Sequence, residues 1–212
     1  MKTVRVVCLG ILCGLLGADC SKQTLIRKYY VLEPPAIIQP SDSLWVRRIA
    51  SKIDVRDFQV ARAFEQTRIA LRSGSHELDY YFYHHWAVRP SVGMADMVYE
   101  LMERSRSFSR LTRNEFGNPD YFVSGEVFQL ERVEMKKKTG AHLHAVFTLT
   151  DFKTRMATVR HEFNRTVEMK KDQGMNRFAD TISELLQEET LSFLAKIANT
   201  LAPLPVPEVP TL

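Results

Sequence analysis

An α+β domain is what this sequence predicts: a single domain with a largely antiparallel sheet and two main amphipathic helices packed on one face. Three observations point to it. Segments between Tyr121 and Phe163 alternate apolar and polar residues, the period of a half-buried strand. Two other segments, after Pro90 and after Met175, repeat apolar residues at i, i+3, i+4 and i+7, the period of a helix with one buried stripe. All three cysteines, Cys8, Cys13 and Cys20, lie in the first twenty of 212 residues. The remainder must therefore fold by burying a core, without a disulfide or a cysteine metal site. A chain of this size buries roughly 70% of its unfolded surface, which is enough.

Residues 1–19 read as a signal peptide. Lys2 and Arg5 supply positive charge, and Val6 to Ala18 form an apolar run of thirteen residues. A membrane-spanning helix needs about 20. The run turns polar at Cys20-Ser21, which resembles a bacterial lipoprotein signal. That chemistry would place acyl chains on Cys20, each buried CH₂ contributing about 0.8 kcal/mol to anchoring. Gly17 and Asp19 stand where a lipobox usually has Leu and a small residue. A cleaved soluble form and an uncleaved anchor therefore stay open beside lipidation.

Residues 20–28 form the tether and 29–200 the folded domain. Tyr29-Tyr30-Val31-Leu32 is a short strand stopped by Pro34-Pro35. Leu44–Ile49 is a second strand, and Val55–Ala63 is ambiguous, its Val55, Phe58 and Arg62 fitting one helical turn or two. Thr67–Arg72 and Leu78–Trp86 make a hairpin around Ser73-Gly74-Ser75-His76, the second strand crowded with aromatics that suit a pleated surface. Pro90 then opens a helix carrying Met94, Met97, Val98, Leu101 and Met102 on one side. Phe108–Leu111 is a further short strand.

Three long strands follow. Tyr121–Glu134 changes phase near Gly125, which predicts a bulge there. His142–Thr150 puts Leu143, Ala145, Phe147 and Leu149 on one face. Ala157, Val159 and Phe163 do the same for the third. Lys138-Thr139-Gly140 and Lys153-Thr154 are the turns, and the meander keeps one face wet. A helix over Met175–Ala198 closes the domain with Phe178, Ile182, Leu185, Leu186, Phe193, Leu194 and Ile197. The tail, 201–212, has proline at 203, 205, 207 and 210 and is extended.

Little in this pattern is catalytic. There is no G-x-S-x-G elbow, phosphate loop or H-E-x-x-H. His142 and His144 share the polar face of one strand, whereas His161 falls on the apolar face of the next. The three do not converge, so no metal site and no cofactor is expected. Glu126, Glu131, Glu134 and Glu162 scatter without evident pairing. Net charge is only +4, and Lys136-Lys137-Lys138 is flanked by Glu131 and Glu134 without RNA-binding aromatics, so no nucleic-acid partner is expected. The chain reads as a non-enzyme.

The order of these pieces carries a resemblance. It consists of the Tyr29–Leu32 strand soon after Cys20, the stretch RIALRSGSHELDYYFYHHWAVRP (68–90), an amphipathic helix, SGEVFQLERVE (124–134), two more strands and a long last helix. It is similar to the ABC-type transport auxiliary lipoproteins, the paraquat-inducible protein C type among them. The resemblance implies an outer-membrane lipoprotein facing the periplasm, anchored by acyl chains, that serves an MCE-domain protein and an ABC permease in moving lipid between membranes. It leaves room for a homo-oligomer. Trp86 is either a core residue, the commoner role of a Trp on a strand before a helix, or a partner contact, since aromatics are enriched at interfaces. This chain has His85 before Trp86 and Val88-Arg89 after it, where the family usually has Arg and an acid. Rival readings are a structural lipoprotein of outer-membrane assembly, a periplasmic hydrolase using Glu126 or His144, and a lipid carrier.

Overall fold

The computed structural model describes residues 26–35, 49–115, 117–135 and 138–201. The readings for 1–19, Cys20, most of the 44–49 strand and the Pro-rich tail lie outside them. Among the described residues nine strands and two helices follow in the order β1 (Lys28–Tyr30), β2 (Ile49–Val55), β3 (Gln59–Val60), β4 (Arg68–Arg72), β5 (Leu78–Trp86), α1 (Pro90–Ser105), β6 (Phe108–Arg113), β7 (Tyr121–Met135), β8 (Lys138–Asp151), β9 (Ala157–Met169) and α2 (Met175–Thr200). All nine strands belong to one sheet.

The long strand β7 organises it. Along one edge β7 pairs antiparallel with β8 from end to end, and β8 pairs antiparallel with β9. Along the other edge β2, β3 and β4 lie parallel to it in succession, opposite Tyr121–Val123, Glu126–Val127 and Glu131–Val133. They act as one broken strand. β6 adds parallel to β2, β5 antiparallel to β4, and β1 parallel to β5. Most of the paired length is antiparallel, as the alternation predicts. The parallel edge is not visible in the sequence, because strand direction is set by the crossover through β5, α1 and β6 and not by periodicity.

The two helices touch each other and cover one face. In α1 Pro90 sits in the first turn, where its missing N–H costs nothing, and Arg106 ends the helix in the left-handed region at φ 50°. In α2 the buried threonines 181 and 190 return their hydroxyls to the carbonyls of Arg177 and Leu186, 2.7 and 2.6 Å away. Phe147, wholly buried on β8, is the hub of the core. Its ring lies 5.4 Å from Phe58, 5.1 Å from Phe163 and 5.8 Å from Phe193.

Three sequence expectations need correction. The segment 55–63 is not helical; it ends β2 and forms β3. Lys138, Thr139 and Gly140 are strand and not turn, for Met135 already pairs with Lys138. The bulge in β7 falls at Phe128, between the Val127–Ala145 and Gln129–His144 pairs. Gly125 is needed for a different reason, since a Cβ there would lie 2.5 Å from the Phe58 ring. The glycine admits that ring onto the sheet beside Phe147. Gly125→Ala is accordingly expected to lower stability by about 1–3 kcal/mol through overpacking. Urea unfolding of the variant beside the parent measures it, and an unchanged midpoint would contradict the close approach.

Candidate functional site

The bulge at Phe128 decides which side chains of β7 face away from the helices. Beyond it Leu130 points inward and Glu131 outward, paired across the ladder with Leu143 and His142. Four strands then bring their outward residues into one row. Arg72 of β4 donates to the Glu131 carboxylate from Nε at 3.2 Å and from Nη2 at 2.8 Å. His142 of β8 lies with Nδ1 3.2 Å from Glu131 Oε1 and Nε2 2.9 Å from the Asn164 side-chain oxygen of β9. With the amide so placed both ring nitrogens face oxygens, to which an imidazolium can donate at the same time.

Glu131 is 1% exposed despite lying on the face without helices. Burial pushes its carboxyl upward. The hydrogen bonds and charges of His142 and Arg72 together outweigh burial and hold it below the usual carboxylate range. The hydrogen bond to Glu131 raises His142 above the usual histidine range against the opposing effect of burial, with Asn164 helping. The sequence pattern leaves Glu131 unpaired; the structure corrects this. No spacing in the sequence joins positions 72, 131, 142 and 164, because three strand registers must be known first. A second pair, His144 with Glu162 at 3.4 Å, continues the row, and Arg160 holds the other oxygen of Glu162 at 2.7 Å. The face is drier than the alternation predicts: Val146 and Thr150 are also buried on it. The Arg56 guanidinium carbon lies over the Phe122 ring there, 4.1 Å from its centre.

The row borders a hollow of about 410 Å³ between Arg72, Glu131, Lys138, His142, Thr166 and Glu168. His161, on the other face, is buried under α2 with Nε2 2.8 Å from Glu189, whose second oxygen accepts from Arg165 at 2.9 Å. The three histidines therefore do not meet. Among the described residues no group of three or more His, Cys, Asp or Glu is placed to hold a metal ion.

The linked groups predict a pH response with two limbs. The depressed carboxyl of Glu131 contributes stability above its unfolded value, lost as pH falls through the folded one. The raised imidazole of His142 contributes stability below about 6.5, its unfolded value, lost as pH rises through the folded one. His142→Gln is expected to flatten the decline on the alkaline limb and to move the acid limb upward in pH, because His142 also helps hold the Glu131 carboxyl low. Thermal unfolding from about pH 2 to 9 checks this; an unchanged alkaline limb would show that the imidazole is not the titrating group.

The second feature is the end of the sheet where the chain enters. β1 is a three-residue strand on the outer edge of β5, its Lys28, Tyr29 and Tyr30 beside His84, His85 and Trp86. The Tyr30 hydroxyl is hydrogen-bonded to Nδ1 of His84 at 2.8 Å. Burial, seconded by the charges of Lys28 and Arg132, lowers the His84 pKa. Trp86 is 4% exposed, its ring 5.8 Å from Phe178 of α2. Its edge meets a small hollow of about 120 Å³ with Val31, Leu32 and Val88.

These features define a class before they define a family: a two-layer α+β domain whose central acid is fully engaged by neighbouring cations and whose entry strand forms a sheet edge. Solved structures share this fold. A DUF330-family protein of Xanthomonas campestris superposes with a TM-score of 0.63 at 18% identity, over 82% of this chain and 95% of that one. A structure described only as an uncharacterized protein gives 0.62 at 9% identity, over 82% and 99%. The family model of the ABC-type transport auxiliary lipoprotein component matches residues 30–192, and the chain belongs to that family. No curated protein matches the sequence.

Proposed function

We propose that this protein is a non-catalytic accessory of an ABC-type lipid transport system, held by acyl chains on Cys20 to the periplasmic side of the outer membrane. In this reading its domain docks an MCE-domain protein and the permease assembly that carries lipid between the membranes. The observation that carries the proposal is the family match over residues 30–192. The sequence adds a thiol at the boundary between an apolar leader and a polar tether. Among the described residues no helix is long and apolar enough to cross a membrane. Arg72, Glu131 and His142 satisfy one another's hydrogen bonds, which supports a structural role for the ionisable row over a catalytic one. Ser21, rather than Asp, follows Cys20, which fits outer-membrane sorting.

The test is the mass of the mature N-terminus from native membranes beside a Cys20→Ala control, followed by cross-linking in cells. An acylated Cys20, with the protein lost from membranes in the control and MCE-type and permease components in the cross-linked fraction, is the expected result. An unmodified N-terminus, or cross-links that hold neither component at native expression, would overturn it.

A further inference from the structure

The entry edge of the sheet is more apolar than a solvated edge needs to be. Ile26, Tyr29, Val31, Phe82 and Val88 are exposed by 73, 61, 49, 63 and 46% respectively. Tyr29 and Phe82 belong to β1 and β5, and Ile26, Val31 and Val88 lie within two residues of those strands. Tyr29 lies against the His85 ring at 5.6 Å, and the Phe82 carbonyl faces His85 Nε2 at 3.1 Å. Val31 and Val88 share the lining of the small hollow beside Trp86. Among the described residues the outer edge of β1 has no strand partner. Aromatic and aliphatic side chains beside open backbone groups invite a covering surface.

We propose that this edge rests on the lipid headgroup layer, so that the domain lies against the membrane and does not swing freely on its tether. This rests on the proposed anchor at Cys20. Only six residue steps separate Cys20 from Ile26, a span of at most about 20 Å when fully extended. An anchored chain therefore holds this edge beside the bilayer at high effective concentration, and a weak contact suffices. The chemistry fits. From Cys20 to Val31 the chain carries Lys22, Arg27 and Lys28 and no acid, which suits anionic headgroups. Tyrosine and phenylalanine suit the interface, where one end of a ring is apolar and the other wet. The unpaired edge of β1 places the contact in the hydrated headgroup region, where its N–H and C=O groups still find partners, and not in the hydrocarbon.

The mature lipoprotein offers a direct test. Cys8 and Cys13 leave with the leader and acylation blocks Cys20, so an introduced cysteine is the sole free thiol. Nitroxide labels at Tyr29→Cys, Phe82→Cys and Met156→Cys, the last an exposed position on the β8–β9 connection, are compared in vesicles of phosphatidylethanolamine and phosphatidylglycerol. The expected result is a ratio of oxygen to nickel-chelate collisions several-fold higher at 29 and 82 than at 156. Equal ratios at all three would overturn the proposal while leaving the anchor intact. Strong coupling between labels at 29 in different molecules would replace the membrane with a second copy of the chain. An unacylated Cys20, with protein that stays off the vesicles, would remove the anchor and this contact with it.

Discussion

Replacement of Glu131 by alanine is expected to lower stability by about 3–5 kcal/mol, the cost of breaking a buried ion pair by removing one member. The carboxylate is 1% exposed and lies between Arg72 on β4 and His142 on β8. Without it Arg72 loses its counter-charge in the middle of the sheet, and His142, held up by Glu131 against burial, loses its acceptor and its raised pKa. Such a loss is a large part of the 5–15 kcal/mol that typically holds a domain together. Urea unfolding at neutral pH measures it, and a loss below about 1 kcal/mol would show that solvent screens the row. The triple replacement Arg72→Met, Glu131→Leu, His142→Leu is expected to recover most of the loss. Apolar residues of similar volume frequently equal or exceed a buried charged cluster in stability. The comparison separates the worth of the cluster from the penalty for leaving it incomplete.

Phe147→Ala is expected to have a comparable effect by a different route, about 3–5 kcal/mol. The ring is fully buried and meets Phe58 from the β2–β3 connection, Phe163 from β9 and Phe193 from α2. Its removal leaves a cavity that three separate elements must collapse to fill, and a hub tied to several elements relaxes poorly. Phe147→Leu is expected to cost less, because it leaves a smaller void. Equal losses for the two substitutions would mean that ring contacts, and not volume, set the energy of this layer.

The parts of the fold legible in the sequence are those set by local periodicity. The helix opened by Pro90, the stripe from Phe178 to Ile197 and the alternating face of Leu143 to Leu149 all stand where their spacing puts them. The phase change in β7 is also visible there, but its place and cause are not. Phe128 forms the bulge, and Gly125 makes room for the ring of Phe58, contributed from far earlier in the chain. His161 is legible as a residue on the apolar face. Its partner Glu189 is not, since that contact depends on where α2 lies across β9.

Two conclusions therefore have different origins. The cysteines confined to the first twenty residues, the apolar leader and the order of strands and helices are local facts. They determined an α+β domain behind a candidate anchor at Cys20, and the family resemblance with it. The row from Arg72 through Glu131 and His142 to Asn164 was decided only in three dimensions. So was the exposed apolar edge at β1. Each joins residues from strands whose neighbours and register are fixed by the packing of the whole sheet, a long-range choice that no window of sequence contains.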